Sequence, residues 1–134
     1  MKFSILTPSF NQGSFIEQNI QSVINQDVAV EHLIVDGNST DGTVEVLKRY
    51  SDRLAYWVSE PDKGQSDALC KALAKATGDI VGWLNVDEYY DPNVLGAVQK
   101  AFEQNPTAMI VYGNVRVVTA ADSTLRRGNC CLAD

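Results

Sequence analysis

The chain reads as an α/β protein, a mostly parallel sheet with helices on both faces. Three observations carry that reading. Short apolar runs at residues 3–7, 32–36, 55–59, 80–85 and 109–112 alternate with segments whose apolar residues recur at helical spacing. The runs are continuous rather than alternating, as suits strands buried on both faces. Polar and acidic residues then gather just past four of these runs, on the edge where an open parallel sheet forms its ligand crevice.

The first strand, residues 3–7, is stopped by Pro8, which has no N–H to give a ladder. Ser14 and Glu17 have capping-box spacing, so Ser14 should cap a first helix that ends near Gln26. Ile16, Ile20, Val23 and Ile24 form its apolar face. Residues 32–36 are the second strand, apolar through Leu33, Ile34 and Val35 and closed by Gly37, Asn38 and Ser39. A second helix runs from about Thr43 to Tyr50, carrying Val44, Val46 and Leu47. After a third strand at residues 55–59 and a loop through Pro61, Asp62, Lys63 and Gly64, Ser66 caps a third helix. Ala68, Leu69, Ala72, Leu73 and Ala76 face inward there, and Gly78 marks its end. Residues 80–85 form the fourth strand. Asp91 and Pro92 then start a fourth helix with Val94, Leu95, Val98, Ala101 and Phe102 on its buried face, and Asn105-Pro106 stops it. A fifth strand is expected at residues 109–112 and a sixth at 114–119, whereas residues 122–134 read as irregular.

A length of 134 residues is one domain, long enough to bury a core. Its 45% hydrophobic and 21% charged residues are ordinary for a globular chain. The net charge of −6 argues against a nucleic-acid surface, which needs clustered Lys and Arg. A phosphorylated ligand would need a cation or helix N-termini to screen it from this acidic protein. Cys70, Cys130 and Cys131 lack CxxC spacing and there is one His, which argues against zinc and for reduced thiols in a cytosol. The apolar stretch near Met1 is too short for a signal peptide, and no run reaches membrane-spanning length. The expected location is therefore cytoplasmic, with peripheral contact at the inner face of the membrane left open.

The chemistry gathers at the strand ends. Thr7, Pro8 and Ser9 follow strand one, Asp36 strand two, Ser59 and Glu60 strand three, and Asn85, Val86, Asp87 and Glu88 strand four. The adjacent carboxylates of Asp87 and Glu88 suit a hard divalent cation that also holds phosphate oxygens. Lys63, Gly64, Gln65 and Ser66 precede a helix N-terminus, whose free N–H groups favour anions. Strands one, two and four should lie adjacent, with Thr7, Asp36 and Asp87 opening onto a common crevice.

Four segments, LTPSFNQG (6–13), HLIVDGNSTDGT (32–43), SEPDKGQSDA (59–68) and GWLNVD (82–87), resemble family 2 glycosyltransferases of the GT-A fold in order and spacing. The resemblance implies a Rossmann-like nucleotide-binding half and a nucleotide-sugar donor, usually a UDP-sugar. It also implies Mg²⁺ or Mn²⁺ held through a DXD-like motif. Carried over by position, Thr7, Pro8 and Ser9 would line the nucleoside pocket and Asp36 would accept the base N–H. Asp62, Lys63, Gly64 and Gln65 would lie beside ribose, diphosphate or sugar, with Asp67 a weaker candidate. Asn85 and Val86 lead to Asp87, which matches the metal-binding Asp, and Glu88 stands where relatives have Asp. Val86 replaces a commonly small polar residue, and Cys70 a common Asn.

Family members continue for another hundred residues or so, which carry acceptor contacts and the general base. The chain thus reads as a single nucleotide-sugar-binding domain, residues 1–134, lacking the acceptor half, with no catalytic base identifiable. The expected function is metal-dependent, inverting transfer of a sugar from a nucleotide-diphosphate sugar to a saccharide or lipid-linked acceptor. The alternative is a non-catalytic nucleotide-sugar-binding module. A dinucleotide-binding domain is disfavoured, because no Gly-x-Gly-x-x-Gly follows strand one. An uncovered strand edge near residues 109–119 leads to the expectation of a homo-oligomer.

Overall fold

The computed structural model describes residues 1–119 and 124–128. Strands β1 (Phe3–Ser9), β2 (Val30–Asp36), β3 (Tyr56–Ser59) and β4 (Ile80–Trp83) form a parallel sheet in the order β3-β2-β1-β4. Helices α1 (Gly13–Ile24), α2 (Thr43–Arg49) and α3 (Gln65–Leu73) connect them. Then follow α4 (Val94–Gln104), β5 (Val115–Val118) and β6 (Thr124–Gly128), the last two paired antiparallel. The chain divides into two compact units, Met1–Leu95 and Gly96–Asp134, and the parallel sheet belongs to the first.

Successive residues of a strand face opposite sides of the sheet. Ile34 therefore packs with Ile16, Ile20 and Leu47 of α1 and α2 on one face, while Leu6, Leu33 and Val35 pack with Ala68 and Ala72 of α3 on the other. The topology explains the division. The first two crossovers step from β1 to β2 to β3, and the third returns past both to the far side of β1. Right-handed crossovers that step in opposite directions put their helices on opposite faces. The reversal at β1 is the switch point where open α/β sheets take ligands.

Strand β1 continues through Pro8 to Ser9, two residues beyond the end expected at Thr7. Leu6 O accepts Leu84 N–H at 3.0 Å on the β4 side, and Ser9 O accepts Gly37 N–H at 2.8 Å on the β2 side. Backbone groups of alternate residues face alternate neighbours, so Pro8 faces the β4 side. There β4 has already ended at Trp83, and the missing N–H deprives no strand of a partner.

Helix starts also differ from the local signals. Helix α1 begins at Gly13 with no side-chain cap from its own N-cap residue. Instead Asp41 Oδ2 accepts the Gly13 N–H at 2.8 Å. Glu17, the expected capping-box partner, accepts the Tyr50 hydroxyl at 2.8 Å and lies 3.6 Å from Arg49. Helix α3 starts at Gln65 after Gly64, whose φ of 102° suits glycine, and not from a Ser66 cap. It ends at Leu73, five residues before Gly78, and Leu73 is exposed rather than inward. Helix α4 starts at Val94, beyond Asp91-Pro92, and Gln26 Oε1 accepts the Leu95 N–H at 3.0 Å. Of its expected buried face, Leu95 alone is fully buried.

Residues 109–112 form no strand, and Met109 and Ile110 are exposed. An apolar run becomes a strand only where a neighbour takes its N–H and C=O groups. The strand expected at 114–119 is present as β5, but its partner is β6, which falls in the tail read as irregular.

Candidate functional site

Past the C-terminal ends of β1, β2 and β4 lies a crevice of about 830 Å³. Pro8, Ser9, Phe10 and Gln12 line it after β1, and Gly37 and Asn38 after β2. Pro61, Asp62, Gly64, Gln65 and Ala68 line it from the β3–α3 connection and α3, and Asn85 and Asp87 after β4. This volume lies in the range of sites for small ligands and cofactors.

The wall after β1 and β2 is held by its own hydrogen bonds. Asp36 is fully buried and is not among the lining residues. Its Oδ2 accepts the Ser39 N–H at 2.9 Å and the Ser59 hydroxyl at 2.6 Å, and its Oδ1 accepts the Ser39 hydroxyl at 2.5 Å. Asn11, in the left-handed region, donates its N–H to Ser39 Oγ at 2.8 Å and accepts the Thr40 N–H at 2.9 Å. Asp41 adds the stitch to Gly13 and accepts the Thr43 hydroxyl at 2.6 Å. Those bonds, from Thr43 first and then Gly13, hold its carboxyl below the usual range. Thr7 is likewise buried, its hydroxyl 2.9 Å from His32 Nε2, so it and Asp36 do not open onto the crevice as expected. Both side chains lie on the face beneath α1 and α2, as the alternation of a strand requires. Ser9 does reach the crevice, and its buried Oγ has no partner among the described residues.

The β3–α3 loop supplies Asp62, whose Oδ1 accepts the Gly64 N–H at 2.8 Å. A Cβ on Gly37 would lie 3.1 Å from Asp62 Oδ2 and 3.3 Å from Phe10 Cδ2, so glycine lets this loop approach β2 closely. Lys63 and Asp67 do not line the crevice. Asp67 Oδ2 accepts the Lys63 N–H at 3.1 Å and lies 3.3 Å from Lys71 Nζ, which also meets Glu60 at 2.8 Å.

The turn after β4 presents its groups differently. Asn19, fully buried on α1, donates Nδ2 to the carbonyls of Asn85 and Glu88, both at 2.9 Å, and so pins the turn from below. Glu88 folds back: its Oε2 accepts the Asn85 N–H at 2.8 Å. Val86 is buried in the core beside Ile16 and Ile20, not in the crevice. Asp87 is exposed, lines the crevice, and receives no hydrogen bond from a described residue. Tyr90 beside the turn is pushed up to about 12 by burial and by the Glu88 charge.

The structure thus brings Pro8, Ser9, Asp62, Gly64, Gln65, Asn85 and Asp87 to one crevice. It leaves Thr7, Asp36, Lys63, Asp67, Val86 and Glu88 behind or beside that lining. Sequence reasoning missed Phe10, Gln12, Asn38 and Ala68 in the lining and Asn11, Asn19 and Asp41 as supports. Asn11 and Asp41 lay inside the quoted motifs, but Asn19 has no local signal.

The residue types fit a divalent cation shared with a ligand rather than one held by protein alone. Among the described residues no three metal-ligating side chains converge. Mg²⁺-type sites commonly use one or two carboxylates plus substrate phosphates. Asp87 offers a free carboxylate, and Glu88 at most the oxygen not committed to Asn85.

A four-stranded parallel sheet with helices on both faces is the fold this chain shares with GT-A glycosyltransferases. The Glycosyl transferase family 2 profile matches residues 4–129, and the chain belongs to that family. It is 35% identical over 113 residues to an uncharacterized glycosyltransferase of Mycobacterium tuberculosis, covering 82% of this chain and 43% of the relative. Staphylococcus aureus TarS 1-349 in complex with UDP-GlcNAc superposes with a TM-score of 0.72 at 25% identity, over 79% of this chain and 32% of that 1-349 chain. The mannosyltransferase PcManGT of Pyrobaculum calidifontis, in complex with GDP-Man and Mn²⁺, gives 0.70 at 28% identity, over 90% of this chain and 36% of that one. The chain therefore spans less than half the length of these relatives. Among the described residues no helix is long and apolar enough to cross a membrane.

Proposed function

We propose that this chain binds the donor of a metal-dependent, inverting glycosyltransferase, a nucleotide-diphosphate sugar whose base is uracil. The observation that carries the reading is the crevice at the switch point, whose lining includes Asp87, a carboxylate that no described residue engages, and Ser9, whose buried Oγ is likewise without a described partner. The wall formed by Pro8, Ser9 and Gly37 would take the nucleoside. Asp36 would act from beneath it by holding Ser39 and Ser59. Asp62, Gly64 and Gln65 would border the ribose, diphosphate or sugar.

Asp87 would hold Mg²⁺ or Mn²⁺ with the donor's diphosphate oxygens, and Glu88 would chiefly shape the turn. A bound ion would supply charge stabilisation to the leaving diphosphate. Asp87 has a second effect of its own. Placed in an acidic protein, it repels a bare diphosphate, which makes binding conditional on the cation.

Calorimetry with UDP, GDP and dTDP, each in Mn²⁺ and in EDTA, tests the proposal. UDP should bind most tightly and only weakly in EDTA, and Asp87→Ala should remove the metal-dependent part. Equal UDP affinity in Mn²⁺ and EDTA, unchanged by Asp87→Ala, would remove the metal assignment. Product formation from UDP-sugars with saccharide acceptors separates transfer from binding alone.

A further inference from the structure

The side-chain amides of Gln65 and Asn85 meet at the crevice lining, and a third side chain fixes their polarity. Trp83 Nε1–H is a donor only. It lies 2.9 Å from Asn85 Oδ1, so the Asn85 oxygen must face the indole. That leaves Asn85 Nδ2 as the free end, a donor that no described residue engages. Gln65 Nε2 donates to the same Oδ1 at 2.7 Å, so Gln65 must turn its NH₂ toward Asn85 and keep Oε1 free as an acceptor. Two residues of the crevice lining therefore carry one neutral donor and one neutral acceptor that no described residue engages. A phosphate oxygen could use only the donor. A hydroxyl can use both, because it donates one hydrogen bond and accepts others.

We infer that Trp83 is a positioning residue: it sets the polarity of the Gln65–Asn85 pair so that the pair reads a hydroxyl of the bound nucleotide sugar. The inference rests on the donor-binding reading above. Without the indole N–H the Asn85 amide can turn over, and Gln65 can follow it, so the donor–acceptor order is no longer defined. Ribose and the transferred sugar offer the same hydroxyl chemistry, and the choice of probes separates them.

The test measures binding of UDP, 2′-deoxy-UDP, 3′-deoxy-UDP and UDP-glucose in Mn²⁺ to the wild type, Trp83→Phe and Gln65→Leu. Phe keeps the ring and removes the N–H. Gln65→Leu, on an exposed position of the first turn of α3, has neither the donor to Asn85 Oδ1 nor the acceptor and should leave folding intact. For a ribose hydroxyl, the wild type should discriminate against one deoxy analogue about tenfold. For a hydroxyl of the transferred sugar, UDP-glucose should gain a similar factor over UDP. Both variants should shrink that ratio to about twofold or less while the metal dependence of UDP binding persists. A wild type that binds UDP without hydroxyl discrimination, or a ratio that neither variant changes, would overturn the inference and leave the donor-binding reading standing. A wild type that binds no nucleotide would overturn both. Side-chain amide NMR signals give a ligand-free check: those of Asn85 and Gln65 should shift and broaden in Trp83→Phe, and their staying unchanged would also count as refutation.

Discussion

The two sides of the crevice use similar residues in opposite ways. On the β1–β2 side, Asp36, Ser39, Asn11 and Asp41 spend their hydrogen bonds on one another and on backbone N–H groups. On the β4 side, Asp87, Asn85 Nδ2 and Gln65 Oε1 have no described partner, while the turn that carries Asn85 and Asp87 is pinned from beneath by Asn19 and closed on itself by Glu88. An acidic residue at a strand end is therefore two different objects. A satisfied carboxylate builds the wall, and an unsatisfied one is left for a ligand. The contrast predicts that mutations on the first side act on stability and those on the second on binding.

The largest effect should come from Asp36→Ala. It orphans the Ser39 N–H and the hydroxyls of Ser39 and Ser59 around a fully buried site, at a cost of about 3 kcal/mol or more in urea unfolding. Asp87→Ala, exposed and unbonded, should stay within about 0.5 kcal/mol of the wild type in the same experiment. Equal destabilisation by the two variants would erase the distinction between the walls.

Acid should come next, through groups remote from the crevice. Burial lowers His32 to about 3 from 6.5, so the unfolded chain takes up a proton that the folded one refuses. That stability is present above pH 6.5 and is lost as pH falls toward 3, at up to about 1.4 kcal/mol per pH unit. Glu31 adds a second loss between pH 4.5 and about 2. Burial pushes its carboxyl up, but Lys2, Ser4 and Thr77 together hold it down to about 2. Urea midpoints at pH 7, 5.5 and 4 should fall in that order, and a flat profile from 7 to 5.5 would contradict the buried neutral imidazole.

A smaller stability loss is expected for Asp41→Ala, which uncaps α1 and frees the 37–43 loop. Hydrogen exchange should rise first at Gly13 and Thr43, with Asp87-dependent binding weakened less than overall stability. The smallest effect should belong to Glu88→Gln. Its amide can still offer an oxygen to the Asn85 N–H, so metal-dependent UDP binding should change less than in Asp87→Ala. A Glu88→Gln variant as defective as Asp87→Ala would make Glu88 a direct ligand and redraw the β4 side.

Much of this was legible in the chain. The four parallel strands, the three connecting helices and the segments that converge on the crevice all carry local signals: apolar runs, helical periodicity, and glycines and polar residues just past strand ends. Pro8, Ser9, Asn85 and Asp87 stand just past strand ends, Asp62, Gly64 and Gln65 lie in a segment marked by the family resemblance, and all seven line the crevice. What failed were inferences about partners. Ser14 looked like the cap of α1 and Asp91-Pro92 like the start of α4, yet Asp41 and Gln26 take the first N–H groups of these helices from distant segments, and α3 starts after Gly64 without a Ser66 cap. Residues 109–112 looked like a strand, and the unpatterned 124–128 became one.

The sequence by itself determined the alternation of elements, and with it the edge of the sheet at which chemistry collects, because hydrophobic period and chain direction are local properties. Only the tertiary structure decided which polar groups at that edge are already bonded and which remain open. Hydrogen bonds here join residues as far apart as Asn19 and Glu88 or Gly13 and Asp41. A donor finds its acceptor by distance in space, and nothing in the local pattern of either segment records that meeting.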